Sequence, residues 1–212
     1  MVITRLQLGD FVTNCYVLQC YDTSICVLID PADNGPEICR TLEKMATVPE
    51  AILLTHGHFD HFLAVPFLQE RWPDIPVYCH PLDCPSETSE NYEGKTYPTV
   101  SALRNLCHYG EGDKIDVGGL SVQVIGTPGH TPGSVVLLVE NAMFTGDTLF
   151  KGDIGRTDFE GGDNLAMMKS LARLAAMADD YHVFPGHDEV TTLNAERTHN
   201  PYLKMAQKQY RS

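Results

Sequence analysis

Residues 51–65 read AILLTHGHFDHFLAV, an apolar run that ends in three imidazoles and a carboxylate, His56, His58, Asp60 and His61. Packing gains nothing from such a cluster, because buried imidazoles and carboxylates cost free energy unless they are paired or ligated. Residues two apart along an extended segment point the same way, so His56 and His58 can face one point as the strand runs out. Asp60 and His61 are adjacent in a turn and face elsewhere. The segment thus offers two imidazoles to one metal ion, and a carboxylate with an imidazole to a second. Each ion still needs ligands.

Further donors stand at the same kind of place, where an apolar strand meets a Gly-containing turn. GTPGHTPGS (126–134) puts His130 after the strand LSVQVIG, FTGDTLF (144–150) puts Asp147 after another, and VFPGHDE (183–189) puts His187 after a third. Loops held by a rigid sheet are where ligands from separate strands converge. Five imidazoles and two carboxylates suit zinc, iron or manganese rather than an all-oxygen calcium cage. The lack of sulfur donors disfavours a closed structural zinc site. A carboxylate shared between two ions would hold them roughly 3.5–4 Å apart, and water bridging them would ionise near neutral pH and become a nucleophile. One histidine at a strand end is ordinary surface decoration. Five in this arrangement are not.

Composition bounds the rest. The chain has 212 residues and a net charge of −13, a balance that repels phosphate backbones and argues against a nucleic-acid partner. No apolar run is long enough for a bilayer, and the start MVITRLQLGD lacks the layout of a secretory signal, so a cytoplasmic protein without a membrane partner is expected. There are seven cysteines, an odd number with no C-x-x-C pair, and several fall in apolar runs such as SICVLID. They read as small buried hydrophobes in reduced form.

Strands are expected at VITRLQL, NCYVLQC, SICVLID, AILLT, IPVYCH, KIDV, LSVQVIG, SVVLLVE, AMFTG and HVFPG. Helices are expected at PEICRTLEKMAT with Pro36 in its first turn, at FLAVPFLQERW, at NLAMMKSLARLAAMA capped by Asp163, and in the C-terminal segment. In the third of these, Leu165, Met168, Leu171, Leu174 and Ala178 form the apolar stripe. Residues 82–112 read as an irregular excursion with one helix around Val100–Cys107. Strands then a helix, twice over, with no linker between the halves, predict two packed sheets with helices outside in a single domain spanning 1–212.

The stretch THGHFDH resembles the T-H-x-H-x-D-H signature of the metallo-β-lactamase fold superfamily, and LIDPAD, GTPGHTPGS, GDTLF and PGH follow in the order that family shows. The resemblance implies an α+β fold, a four-layer αβ/βα sandwich of two mixed β-sheets flanked by helices, with two divalent ions in a cleft. Carried over, it implies His56, His58 and His130 on the first ion, Asp60, His61 and His187 on the second, and Asp147 bridging both and holding a metal-bridging water. Asp60 would also orient that nucleophile. Asp30 resembles the family's turn aspartate beside the ligands, where a role in orienting a ligand and simple turn capping both fit. His80, His108, His182 and His199 match no ligand position.

Within the superfamily, GTPGHTPGS, GDTLFKGDIGRTDFEGGD and HNPYLK are similar to glyoxalase II, the hydroxyacylglutathione hydrolases, and their shorter relatives. That implies hydrolysis of a small-molecule thioester such as S-lactoylglutathione by a metal-bridging hydroxide, with zinc as the leading metal and iron or manganese as substitutes. β-Lactamases of this fold usually carry Cys where Asp147 stands, which disfavours antibiotic hydrolysis. Full-length glyoxalase II continues past an N-P-[FY]-L stretch into helices that bind glutathione. Here little follows residues 200–203, so the hydrolytic centre is better supported than a glutathione site. Arg156 reads either as a substrate contact or as the partner of Asp153 or Asp158. The competing activities are a mononuclear iron persulfide dioxygenase using a subset of His56, His130 and Asp147, and a lactonase. A non-catalytic binding module would be expected to have lost ligands, and none is missing.

Overall fold

A computed structural model describes residues 1–210. The first sheet begins with β1 (Val2–Leu8), β2 (Thr13–Gln19) and β3 (Ile25–Ile29), paired antiparallel. Helix α1 (Gly35–Lys44) leads to β4 (Val48–Leu53), which lies parallel to β3, and α2 (Val65–Arg71) leads to β5 (Val77–Cys79), parallel to β4. A separate hairpin, β6 (Ser89–Tyr92) with β7 (Lys95–Pro98), precedes β8 (Leu106–His108), which closes this mixed sheet beside β5. The second sheet runs β14-β13-β12-β11-β10-β9, from β9 (Lys114–Val117), β10 (Leu120–Gly126), β11 (Val135–Val139), β12 (Ala142–Gly146), β13 (His182–Pro185) and β14 (Thr191–Thr192). Its strands are antiparallel except for the β12–β13 pair. Helices α3 (Asn164–Ala175), α4 (Leu193–His199) and α5 (Pro201–Gln209) complete the chain.

The period of two along the strands builds the layers. In β2, Cys15 and Val17 enter a core with Ile38, Leu42, Val65 and Leu68 of α1 and α2, while Tyr16 and Leu18 enter a core between the sheets with Val122, Val135 and Leu137. In β11, Val136 turns the other way, to Met167, Leu171 and Leu174 of α3. Two mixed sheets face to face, each backed by helices, give the αβ/βα sandwich that the sequence implied. Cys15, Cys26, Cys39 and Cys79 are buried free thiols within it. Among the described residues no helix is long and apolar enough to cross a membrane.

Three details differ from expectation. Residues 100–107 do not form a helix: Val100–Ala102 make one 3-10 turn, and Leu106–His108 are the strand β8. Pairing to the open edge of β5 outweighs local propensity there. The 82–112 excursion carries the hairpin β6–β7, turning at Glu93 and Gly94 with φ of 48° and 78°. In α3 the buried stripe runs through Met167, Met168, Leu171, Leu174 and Ala175. Leu165 is 54% exposed, and Ala178 lies beyond the helix end.

Candidate metal centre

All four donor segments leave the same edge of the sandwich. Because β10, β11 and β12 alternate in direction and β13 is parallel to β12, the C-terminal ends of β10, β12 and β13 lie together, with His130, Asp147 and His187 just beyond them. The chain leaving β4 supplies the rest, through a bend at Thr55 and His56, an extended backbone at His58, and a 3-10 turn over Phe59–His61 whose first bond runs from the His61 N–H to the His58 carbonyl.

The seven side chains meet. His58 Nδ1 lies 2.9 Å from His130 Nε2, and His130 Nε2 lies 3.5 Å from Asp147 Oδ2. His187 Nε2 lies 3.5 Å from the same Asp147 oxygen and 3.4 Å from Asp60 Oδ2. His61 Nε2 lies 3.4 Å from Asp147 Oδ1 and 3.7 Å from Asp60 Oδ2. Three overlapping sets each have donor atoms within 4.8 Å of one another: His56 with His58 and His130, His56 with His61 and Asp147, and Asp60 with His61 and His187. Asp147 therefore stands between the two histidine sets, where a shared ligand would have to be.

Buried polar atoms are normally hydrogen-bonded. Here His56 Nε2, His61 Nε2 and Asp147 Oδ1 are buried with no partner, and all three face this centre. Their other atoms are firmly held. Asp30 Oδ2 accepts from the Thr55 hydroxyl at 2.7 Å and lies 3.0 Å from His61 Nδ1, while Asp30 Oδ1 accepts from the Thr55 N–H at 2.7 Å. Thr55 Oγ1 lies 3.1 Å from His56 Nδ1, and His130 Nδ1 lies 2.7 Å from the Arg156 carbonyl. His56 and His61, fixed through one nitrogen with no hydrogen bond at the other, are oriented as ligation requires. Asp30 thus orients a histidine rather than merely capping its turn.

The protonation pattern points the same way. Burial drives His56 well below the ordinary imidazole range, with the charge on His61 adding to it. Burial, then His130, pushes His58 down to about 4. Burial would raise Asp147 and Asp60, but the imidazoles around them, His61 foremost, hold both below the usual carboxylate range. Against burial, Asp60, Asp147 and Asp30 raise His61 well above its ordinary value, and Asp60 and Asp147 raise His187. Two free-base imidazoles and two carboxylates are already in ligand form. The carboxylates thus pull His61 and His187 toward the positively charged form, as they would attract a cation. The donor set fits a metal.

Two supporting residues escaped the sequence. Asp83, 7% exposed, accepts from the Gly57 N–H at 2.9 Å, the Thr131 hydroxyl at 2.7 Å and the Gly133 N–H at 2.7 Å, and so ties the His58 loop to the His130 loop. Gly186 packs so tightly that a Cβ there would overlap Asp147 Oδ1 and crowd His61 Cε1. The other histidines stay apart: His80 accepts from the Leu82 N–H at 3.2 Å, and His108, His182 and His199 are exposed. Arg156 pairs with Asp158 through two bonds of 2.7 Å, not with Asp153.

Above the centre opens a cavity of about 500 Å³ whose lining includes His58, Asp60, His130, Asp147, His187 and several aromatic rings.

Residues 8–187 match the Metallo-beta-lactamase superfamily, and the chain belongs to that family. A hydroxyacylglutathione hydrolase of Photorhabdus laumondii is 36% identical over 182 residues, covering 86% of this chain and 64% of that protein. Among solved structures, the BLEG-1 B3 metallo-beta-lactamase superposes with a TM-score of 0.86 at 32% identity, over 95% of this chain and 99% of that one. TTHA1623 in a di-iron-bound form gives 0.81 at 36% identity, over 94% and 99%.

Proposed function

From membership of this metallo-hydrolase superfamily, we propose that the chain is a binuclear metal-dependent hydrolase of thioesters, with S-lactoylglutathione as the reference substrate. The observation that carries this is the trio of buried atoms without a hydrogen bond, His56 Nε2, His61 Nε2 and Asp147 Oδ1, at the centre of the seven donors, the last two only 3.4 Å apart. His56, His58 and His130 would hold one ion, Asp60, His61 and His187 the other, and Asp147 would reach both. The donors accept zinc, iron or manganese, and we assign zinc. Bound ions supply Lewis-acid polarisation of the acyl carbonyl and a lowered pKa for water.

The chain's own part is positional. Asp60 accepts a bond from the Thr13 hydroxyl at 3.0 Å and faces His187, and we assign it the orientation of the attacking water. Asp30 keeps the His61 Nε2 aimed inward. The likeness to hydroxyacylglutathione hydrolase supports a thioester, and the likeness to BLEG-1 requires that β-lactams be tested beside it.

The test is to strip the protein of metal, reconstitute it separately with zinc, iron and manganese, and measure turnover of thioesters, lactones and β-lactams, with oxygen uptake on a persulfide. Thiol release that needs close to two ions per chain is expected. Turnover confined to β-lactams or lactones would overturn the substrate class. One iron per chain with oxygen uptake on the persulfide would replace hydrolysis by a dioxygenase.

A further inference from the structure

The cavity wall carries information about the substrate that the donor set does not. Five Phe and Tyr rings line it: Phe150 stands edge-on to His187 at 6.0 Å, and the other four form a continuous arc. Phe11 meets Phe59 edge-on at 5.4 Å, Phe59 meets Tyr92 at 5.5 Å, and Tyr92 meets Phe159 edge-on at 6.3 Å. Phe159 then stands edge-on to His58 at 6.0 Å, which ties the arc to the metal centre. The rings come from four separate segments: the β1–β2 turn, the 3-10 turn after β4, the end of β6, and the loop between β12 and α3. Phe59 is fixed from behind, 6% exposed and stacked on Tyr97 at 3.9 Å. Phe11 is 38% exposed.

The charges on this wall are equally specific. Away from the metal centre, Glu90 and Glu160 line the cavity, and Arg156 is the one Lys or Arg in its lining. That guanidinium is already committed, bidentate to Asp158 and lying 3.7 Å over the Phe159 ring. A glutathione moiety brings two carboxylates and one ammonium. Beyond the metal centre, which the acyl carbonyl would occupy, its carboxylates would meet two glutamates and no uncommitted Lys or Arg, and an unpaired charge taken from water is costly. An uncharged ring would instead meet four ring faces and edges, each such pair being favourable beyond simple burial.

We propose that the site selects thioesters flanked by an uncharged aromatic group and discriminates against anionic glutathione thioesters. This deepens the thioesterase reading above and rests on it for the reacting bond, whereas the wall's preference is measurable without turnover. A cavity of about 500 Å³ has room for an aryl group beside the reacting carbonyl, within the range usual for small-molecule sites.

The test is calorimetric titration of the metal-loaded protein with three inert thioethers: S-benzyl-N-acetylcysteamine, S-methyl-N-acetylcysteamine and S-benzylglutathione. The neutral benzyl compound should bind about tenfold more tightly than either of the others, given what a stacked ring and an avoided buried charge contribute. Phe159→Ala and Tyr92→Ala should each shrink the benzyl-over-methyl ratio severalfold, with Tyr92→Phe restoring it and so separating ring loss from misfolding. Glu90→Gln should improve binding of S-benzylglutathione. In parallel, phenylacetyl-N-acetylcysteamine and S-lactoylglutathione are compared for kcat/KM, the former being expected to lead. Binding of S-benzylglutathione as tight as that of its neutral counterpart, or equal binding of the benzyl and methyl thioethers, overturns the proposal. Selective benzyl binding with no thiol release from any thioester would retain the preference of the wall and reject the thioesterase.

Discussion

On the floor of the cavity, seven side chains face one another and are held from behind by Asp30, Thr55 and Asp83. On its wall, four of the rings meet one another through edges and tilted faces, with two glutamates beside them. The floor has almost no freedom, because each ring nitrogen that does not face the centre at His56, His61 and His130 is already hydrogen-bonded, and Gly186 leaves no room for a methyl group. The wall is looser: Phe11, Glu90 and Glu160 are exposed, and Tyr92 and Phe159 half-buried. Reactivity is thereby separated from selectivity. Substitution on the floor should remove the reaction, and substitution on the wall should redirect it.

The largest effect should come from Asp147. Asp147→Ala removes the one carboxylate that faces both histidine sets. Turnover should fall by on the order of 10³-fold or more, the scale of several kcal/mol of lost charge stabilisation, and elemental analysis should show lower metal content. Full activity in this variant would break the comparison at its root.

Next comes Asp83, which supports the floor from outside. Asp83→Ala leaves the Gly57 and Gly133 N–H groups and the Thr131 hydroxyl without their acceptor. The metal-free protein should lose about 3 kcal/mol of stability in denaturant unfolding, given the cost of buried unsatisfied donors. An unchanged unfolding midpoint would show that the two loops do not depend on this carboxylate.

The smallest effect belongs to the rim of the wall. Phe11→Ala should lower kcat/KM for phenylacetyl-N-acetylcysteamine by about threefold, the scale of one aromatic pair, with the metal content unchanged. A loss as deep as that of Asp147→Ala would erase the distinction between floor and wall.

The same contrast explains what the sequence disclosed. The convergence of His56, His58, Asp60, His61, His130, Asp147 and His187 was legible because few residue types could serve as ligands and most of these follow the end of an apolar strand. The sandwich was legible because residues such as Cys15, Tyr16, Val17 and Leu18 alternate between two cores. Asp83 was not, because it looks like any acid in a polar stretch and its partners lie 26, 48 and 50 residues away. The hairpin that brings Tyr92 to the cavity left only a weak trace, the Glu93-Gly94 pair at its turn. Strand β8 was misread as helical because three residues joining an open sheet edge carry no period of their own.

The central claim is that seven side chains close on two cations with Asp147 between them. Anomalous diffraction from crystals grown with zinc, iron or manganese tests it most directly. Two peaks are expected, one bounded by His56, His58 and His130, the other by Asp60, His61 and His187, with Asp147 touching both. A single peak confined to His56, His130 and Asp147, or no peak at all, would contradict it.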